Sequence, residues 1–298
     1  MSDDSSLPTP PSVSTPTAYA ILLVNMVIWA SSFAAIRFVL RQTDAMTMTA
    51  LRLFVAAMCM GLVIAVFRIP LPRRDDWPGL VAAALLGFSV YHYLLNLGTE
   101  TVTAGQASFI VATIPIWTAL LAWHFLDEHL SPKHWLGLAL GLVGVGSMSL
   151  DFSGGIPSIG IGSWLVLGAA LSAGANIVIT KDLLARYRPI DIAAYAACIG
   201  ALPFLLHVPW TWTASADLEI SGWLALLYLG VVPIGLGYWL NSIALAALPA
   251  HQVAQMLLLI PPMAALIAWV TIGETPPMML LVGGPLIIAG VLLGQRKP

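Results

Sequence analysis

The chain has 298 residues, of which 59% are hydrophobic and only 9% are charged. Soluble domains normally carry about 25% charged residues, so this composition excludes an ordinary soluble protein and indicates a polytopic membrane protein. The net charge of −2 gives no basic field for nucleic acid. Cys59 and Cys198 lie in apolar runs, which predicts buried thiols rather than a disulfide or a metal site.

Charge-poor stretches follow one another along the chain with very short connections. Residues 1–16 are rich in Pro, Ser and Thr and are predicted to form a disordered tail without a signal peptide. Each later stretch approaches the roughly 20 apolar residues that a membrane span needs. The predicted spans are 17–36, 45–67, 77–99, 101–126, 135–150, one within 152–180, 192–216, two within 220–273 that are divided at 248–251, and 275–295.

Basic residues in the loops predict the orientation of these spans. If the N-terminus is cytoplasmic, nine of the twelve Lys and Arg residues lie on the cytoplasmic side. Arg37, Arg41 and Arg52 then lie toward the outside. Both termini are therefore predicted to be in the cytoplasm of a bacterial inner membrane, although the acidic tail favours the opposite orientation.

The second half of the chain repeats the first at an offset of 146 residues. The matching pairs are Gln106 and Gln252, Pro115 and Pro261, Trp123 and Trp269, and Glu128 and Glu274. Five spans in each half force the second half to enter the membrane from the opposite side. The sequence therefore predicts an all-α protein of ten transmembrane helices, with inverted repeats at 17–151 and 152–298, as in many secondary transporters.

Short motifs resemble the EamA-type repeat of the drug/metabolite transporter superfamily. They are WASSFAAIR at 29–37, LRL at 51–53, LDEH at 126–129 before a Gly-rich span, and Gly273-Glu274 as a second copy of the last. The resemblance covers nearly the whole chain from about residue 17. It implies an inverted five-plus-five arrangement and export of amino acids or other small metabolites. Span six departs from the pattern, because residues 175–178 only loosely echo the span-one motif.

Polar and aromatic side chains inside the spans are candidates for a substrate site, because buried polar groups are costly in a membrane unless they are paired or face water. Ser89, His92 and Asn96 recur at helical spacing on one face of span three. The alternative for each polar residue is a hydrogen bond to a neighbouring helix. The predicted substrate-binding residues are Trp29, Ser89, Tyr91, His92, Asn96, Trp117, Asn176, Tyr238, Asn241 and Gln252.

Other residues are assigned to the gate, the outer mouth and the helix contacts. Pro115 and Pro261 interrupt equivalent spans and are predicted to form the gate. Arg37 and Arg52 either extend to the membrane interface or attract an anionic group at the outer mouth. Glu128 is predicted to hold the connection before span five. GxxxG patterns at 137–141 and 290–294 predict close packing of spans five and ten, in a monomer or across a homodimer.

Together these features predict an alternating-access exporter of small amphiphilic solutes, chiefly amino acids, including aromatic ones. Its partners are the solute and the lipid bilayer, and no cofactor, metal or enzyme signature occurs. No Asp or Glu lies near the middle of a span, which favours a uniporter with His92 as a neutral hydrogen-bonding group. Two interpretations remain open: a multidrug or nucleotide-linked-solute carrier, and an intramembrane enzyme using His92 and Asn96.

Overall fold

The structure is a computed structural model that describes residues 13–99, 101, 107, 110–149, 160–207, 209–211, 215, 218–273 and 279–295. These residues form helices and turns, and no strand occurs among them. The tail residues 1–12, Gln106, Glu274 and the side chain of Arg37 lie outside the described residues.

Helices of at least ten residues account for most of the described chain. They are α1 (Thr15–Leu40), α2 (Ala45–Phe67), α3 (Arg74–Gly98), α4 (Ile114–Phe125), α5 (Pro132–Ser149), α6 (Ile161–Leu183), α7 (Pro189–Leu205), α8 (Ile220–Ala247), α9 (Ala250–Thr271) and α10 (Leu280–Gly294). Six of them, α1, α2, α3, α6, α8 and α9, are long and apolar enough to cross a membrane. The apolar helices α4, α7 and α10 are shorter, so length alone identifies fewer than the ten predicted spans.

Some helix boundaries differ from the predicted spans, because the spans were bounded by charged residues and the helices are bounded by their backbone hydrogen bonds. Helix α1 continues to Leu40, past the charge that closed the predicted span, because a charged side chain does not interrupt the backbone hydrogen bonds. Helix α7 ends at Leu205, before the end of the predicted span, and Pro203 lies within its last turn. The start of α2 is fixed by Asp44, whose carboxylate accepts a 2.9 Å hydrogen bond from the backbone N–H of Thr47.

The outer surface of the bundle carries many large apolar side chains. Examples with more than half of their surface exposed are Met58, Phe67, Ile220, Val270 and Leu281. Soluble proteins rarely expose contiguous apolar surface of this extent. The pattern is that of helices whose outer faces contact lipid.

Helices α5 and α10 pack through their glycine faces. A Cβ on Gly137 would lie 2.5 Å from the carbonyl oxygen of Gly290, and one on Gly144 would lie 2.7 Å from that of Gly283. Residue numbers rise along α5 as they fall along α10, so the two helices run antiparallel. The close packing predicted from the GxxxG patterns is confirmed, and it occurs within one chain.

The other helix contacts divide into matching sets. Helix α2 packs on α7, α1 packs on α8 and α9, and α6 packs on α3 and α4. If each helix is replaced by its counterpart in the other half, five places along the chain, the same set of contacts results. The pair α1–α8 becomes α6–α3, the pair α1–α9 becomes α6–α4, and the pair α2–α7 becomes itself. The interior of the bundle, with the fully buried Met26, Phe88 and Leu245, is therefore built in the same way by each half.

Candidate functional site

The middles of α3 and α8 are both wound as π-helix. The π segments are Leu85–Val90 and Gly230–Leu236, and their last residues are separated by the repeat offset of 146. A π-helix shifts the backbone hydrogen bonds by one residue and is frequent at functional sites. Pro233 lies inside the second segment and has no N–H to donate, which gives a local reason for the break there.

Side chains from neighbouring helices bond to carbonyl oxygens in or beside both π segments. The indole Nε1 of Trp29 on α1 donates to the Pro233 carbonyl at 2.9 Å. From α6, Ser172 donates to the Leu86 carbonyl and Asn176 to the Ala83 carbonyl, both at 2.7 Å. Backbone groups in an apolar interior must be satisfied within the protein, so α1 and α6 stabilise the two distortions in equivalent ways.

Tyr238 connects the two π segments. Its hydroxyl donates to the carbonyl of Gly87 at 3.1 Å, and its ring lies 4.2 Å from that of Phe88 and 5.5 Å from that of Trp29, measured between centroids. A Cβ on Gly237 would lie 2.6 Å from the Trp29 indole nitrogen, so only glycine permits this approach. The structure thus brings the predicted residues Trp29 and Tyr238 together, with Phe88 beside them.

A second predicted residue, His92, is paired with Arg52. The Arg52 side chain is only 4% exposed, and its Nη2 lies 2.6 Å from Nδ1 of His92. Guanidinium can only donate, so Nδ1 accepts and the ring proton is assigned to Nε2. The Tyr91 ring packs edge-on against the His92 ring at 4.9 Å. The alternative in which Arg52 extends to the membrane interface is therefore wrong.

Several polar atoms on helices α1, α2, α3 and α8 are buried without a hydrogen-bond partner among the described residues. They are Nε of Arg52, Nε2 of His92, both amide atoms of Asn25 and Oδ1 of Asn241. Leaving such a group unsatisfied costs about 1–3 kcal/mol. Arg52 and His92 are paired on α2 and α3, and Asn25 lies beside Gly237 of α8. A polar molecule bound beside Arg52 and His92 would satisfy their unused N–H groups.

The polar face of α3 packs against helices rather than facing an open space. Ser89 donates to the Gly200 carbonyl on α7 at 2.6 Å, and Asn96 donates to the hydroxyl of Thr49 on α2. Ser89, His92 and Asn96 share a face, as their spacing predicts, and each is buried. Of these three, only His92 keeps a side-chain atom that is buried and lacks a partner in the described part of the chain.

The remaining predicted residues lie in different places. Asn241 is buried on α8, one turn after Gly237. Trp117 on α4 donates to Thr113 at 3.2 Å and packs closely on Gly174 of α6. Gln252 lies at one end of the bundle, where its Oε1 accepts from the Tyr19 hydroxyl at 2.9 Å.

The two predicted gate prolines occupy matching positions. Pro115 is the second residue of the helix Ile114–Phe125, and Pro261 is the second residue of the helical segment Ile260–Ile272. In α9 a short 3-10 turn, Leu257–Leu259, precedes the proline. The α-helical winding of α9 is thus interrupted just before Pro261, and both prolines stand in the first turn of the α-helical segment that contains them, where a missing N–H costs least.

Glu128 closes one end of the bundle by capping α9. Its carboxylate accepts from the Ala250 N–H at 2.8 Å and from Nδ1 of His251 at 2.5 Å. Burial raises the pKa of Glu128, but the hydrogen bonds from His251 and from the backbone of Ala250 outweigh that effect and hold the pKa below its ordinary value of 4.5. The predicted structural role of Glu128 is confirmed, because it ties the α4–α5 connection to α9.

Other contacts join more helices at the same end. Gln295 donates to the Gln252 carbonyl at 3.0 Å and also contacts the Tyr19 hydroxyl. The ammonium of Lys181 donates to the carbonyls of Leu245 and Leu248 at 2.7 and 2.9 Å. The first turn of α1, the start of α9 and the ends of α6, α8 and α10 therefore lie at one end of the molecule.

Comparison with known proteins identifies the family. The EamA-like transporter family matches the chain twice, at residues 16–150 and 160–294. The chain belongs to the EamA-like transporter family. The resemblance seen in the short sequence motifs is confirmed, with one match in each half. The protein is therefore a multi-pass membrane transporter rather than a member of an enzyme family.

Relatives of this chain have names that also describe transporters. A probable terminal-alkyne amino-acid exporter from Streptantibioticus cattleyicolor is 34% identical over 276 residues, which cover 93% of this chain and 92% of the relative. A probable amino-acid metabolite efflux pump from Salmonella typhimurium is 26% identical over 285 residues, covering 92% and 93%. A crystal structure of a protein with 20% sequence identity aligns with a TM-score of 0.80 over 95% of this chain and 97% of that one, which shows a shared fold.

Three residues of this centre are not among the predicted substrate-binding residues. Asn25 is a polar residue of span one and carries the same signal, an amide in an apolar run, as Asn176 and Asn241. Arg52 was predicted either to extend to the membrane interface or to attract an anionic group at the outer mouth, because it lies near one end of its span. Phe88 carries no sequence signal that separates it from other apolar residues.

Proposed function

We propose that the transporter is a ten-span exporter of small amphiphilic solutes, chiefly amino acids and related metabolites. It works by alternating access as a uniporter in the bacterial inner membrane, with both termini in the cytoplasm. The observation that carries the proposal is the pair of equivalent π segments in α3 and α8, joined by Tyr238 and bordered by unsatisfied polar groups. Such interruptions at matching positions of two halves are the usual location of a transporter's binding site.

Two features support the inverted arrangement of the halves. The set of helix contacts is unchanged when each helix is exchanged for its equivalent in the other half. The equivalent helices α5 and α10 run antiparallel, as the glycine contacts require. A two-fold axis that relates two antiparallel helices runs perpendicular to them. For helices that span a membrane, such an axis lies in the membrane plane.

The proposed solute site is lined by Trp29, Tyr91, His92, Tyr238 and Asn241. Aromatic faces beside unsatisfied polar groups suit a solute with an apolar side chain and a polar head. The names of the two relatives, which refer to amino-acid and amino-acid metabolite export, favour the same class.

The other predicted site residues fit the closing of this site. Ser89, Asn96 and Asn176 bond between helices, and His92 and Asn241 are each 7% exposed, so a solute reaches the site only after helices part. Trp117 and Gln252 are among the contacts that change on opening. We propose that Pro115 and Pro261 permit the bending of α4 and α9 that this motion needs.

The end of the bundle that holds Glu128 and Gln295 is proposed to face the cytoplasm. Lys133 lies in the first turn of α5, just after the connection that contains Glu128, and the turn after α6 contains Arg186 and Arg188. Basic residues concentrate in cytoplasmic loops, so these loops favour that orientation.

The test is solute flux with the purified protein in liposomes. We expect labelled phenylalanine to equilibrate across the membrane unchanged, and Trp29→Phe to lower the rate, because the variant loses the bond to the Pro233 carbonyl. Trp223→Phe is the matched control, since Trp223 lies near the start of the same helix as Tyr238 and is 40% exposed. Equal rates for both variants would remove Trp29 from the site, and chemical conversion of the label would contradict transport.

A further inference from the structure

Arg52 is a cation inside the bundle for which no described residue supplies an anion. The ion pairs recorded among the described residues join Arg186, Arg188 and His251 to acids, all near the ends of helices. Asp44 precedes Arg52 by eight residues on the same helix, about 12 Å away along its axis, and is bonded to Thr47. The recorded side-chain partner of Arg52 is His92, and the titratable groups whose charge would act on it are Tyr91 and Tyr238; none of the three carries a negative charge at neutral pH.

A buried cation without a counter-charge is unfavourable in an apolar interior. Arginine does not escape this cost by losing its proton, so a charge of +1 stays beside the aromatic cluster. Ionisable groups at this depth in membrane proteins typically mark the path of a substrate or an ion.

The hydrogen-bonding groups around Arg52 are arranged for an acceptor. Nδ1 of His92 accepts from Arg52, so Nε2 of His92 carries a proton that no described residue accepts. The Nε–H of Arg52 likewise has no acceptor among the described residues. The centre thus offers two unused donors, one on α2 and one on α3.

We infer that Arg52 is the carboxylate-binding residue of the solute site and that the transported solute carries a carboxylate. The carboxylate accepts a hydrogen bond from Arg52 Nε, and its charge balances the buried guanidinium, whose Nη2 is bonded to His92 Nδ1. The apolar part of the solute packs on Trp29 and Tyr238. The inference rests on the proposed function and narrows its substrate class to solutes that carry a carboxylate.

The test compares ligands that differ in one charged group. Binding of labelled phenylalanine to the detergent-solubilised protein is challenged with phenylalanine, with phenylalaninol, which lacks the carboxylate, and with 3-phenylpropionate, which lacks the ammonium. For the wild-type protein we expect phenylalaninol to compete at least tenfold more weakly than phenylalanine, because a hydrogen-bonded charge pair is lost. Liposome flux of labelled phenylalanine is measured in parallel.

Variants assign the effect to Arg52. We expect Arg52→Gln to weaken phenylalanine binding roughly 10- to 100-fold while leaving phenylalaninol binding little changed, so that the preference disappears. Arg52→Lys keeps the charge and should keep part of the preference. Lys181→Gln is the control, because it removes a cation from α6 that is bonded to the Leu245 and Leu248 carbonyls and should leave the preference intact.

The outcomes separate this inference from the proposed function. Flux of phenylalanine with equal competition by phenylalaninol would leave the transport proposal standing and overturn the role of Arg52. Arg52-dependent binding of phenylalanine without flux would do the reverse. A parallel loss of binding for both ligands in Arg52→Gln overturns the inference, since a purely structural role would act on both. If Arg52→Gln does not fold, the wild-type protein still decides the substrate class. Equal competition by phenylalaninol and phenylalanine on the wild-type protein overturns the inference.

Discussion

Glu128 provides the sharpest test of the contacts that close one end of the bundle. The substitution Glu128→Gln keeps the size of the side chain and removes its charge. The native carboxylate accepts from the Ala250 N–H at 2.8 Å, the His251 N–H at 3.3 Å and the His251 ring at 2.5 Å. All three donors belong to the first turn of α9, where a negative charge is favoured by the free N–H groups and the helix dipole.

The expected loss follows from these bonds. Replacing an anionic cap by a neutral one costs about 1–2 kcal/mol, which corresponds to a 5- to 30-fold increase in the opening of this contact. Hydrogen exchange followed by mass spectrometry on peptides that contain Ala250 and His251 measures that opening. We expect exchange of these amides to accelerate by the same factor in Glu128→Gln.

Asp127→Asn is the matched control for this prediction. Asp127 is exposed and adopts a left-handed backbone conformation with φ of 51°, which asparagine tolerates well. The control therefore removes the same charge from the neighbouring position without touching the recorded contacts with α9. Exchange at Ala250 that is the same in both variants would show that the cap contributes nothing, and the argument from its geometry would be refuted.

The same cap has a defined dependence on pH. Its hydrogen bonds lower the pKa of Glu128 below 4.5, so the native state favours the charged form more than the unfolded state does. A group with a depressed native pKa stabilises fully above its ordinary pKa and loses that contribution as the pH falls through the native value. We expect the protection of Ala250 relative to the Gln variant to persist from pH 7 to pH 5 and to disappear only in stronger acid.

Other expectations concern topology, bending, packing and energy coupling. Cysteine placed at Arg74 or Arg188, after the native cysteines are replaced, should react with an impermeant maleimide only from the cytoplasmic side, and labelling of both from outside would reverse the orientation. Pro115→Ala should leave folding intact but change the transport rate, and an unchanged rate would exclude Pro115 from the gate. Gly137→Leu should lower the yield of folded protein, because a side chain there meets the Gly290 carbonyl at 2.5 Å; wild-type yield and melting would contradict the tight contact. A proton gradient imposed at a fixed solute gradient should not change phenylalanine flux, and accumulation above equilibrium would show proton coupling.

The positions of the helices could be read from the sequence because they depend on a local property. A helix in lipid must be apolar along its length, so the charge-poor windows located the described helices, and most of the predicted ends lie within a few residues of the observed ones. The ends that shifted depend on other physics. The backbone of α1 continues past Arg37 because hydrogen bonding, rather than charge, ends a helix.

The π segments could be predicted only in part. Pro233 is a visible reason for a break in α8, and Gly87 marks a close approach in α3. The distortion of α3 nevertheless depends on donors from other helices, Ser172 and Asn176 on α6 and Tyr238 on α8. No local pattern in residues 85–90 shows that these donors will be present.

The candidate site was predicted best where one helix supplies the signal. The spacing of Ser89, His92 and Asn96 gave their common face, but it could not tell which neighbour each would meet. The contact between Arg52 and His92 joins residues 40 positions apart, and it makes Arg52, for which the sequence left the interface and the outer mouth open, part of the centre. Gln252 was predicted as a site residue because it matches Gln106 in the repeat. The repeat gives the position of Gln252 along its helix but not its distance from the site.

The two halves share a backbone design but differ in charge, and this difference bears on the transport cycle. The π segments are equivalent, and His92 occupies the position in α3 that Tyr238 occupies in α8, 146 residues later. The position equivalent to Arg52 is Cys198, whose thiol contacts the Ala57 carbonyl at 3.5 Å and carries no fixed charge. If Arg52 holds the carboxylate, as we infer, the carboxylate is bound by the first half alone, while Tyr238 of the second half packs on the rest of the solute. In an alternating-access cycle the halves exchange conformations, but the charge does not move from one half to the other. We therefore expect the solute to keep its carboxylate on α2 and α3 throughout the cycle, with access to the two sides changing through bending of helices around a solute of fixed orientation.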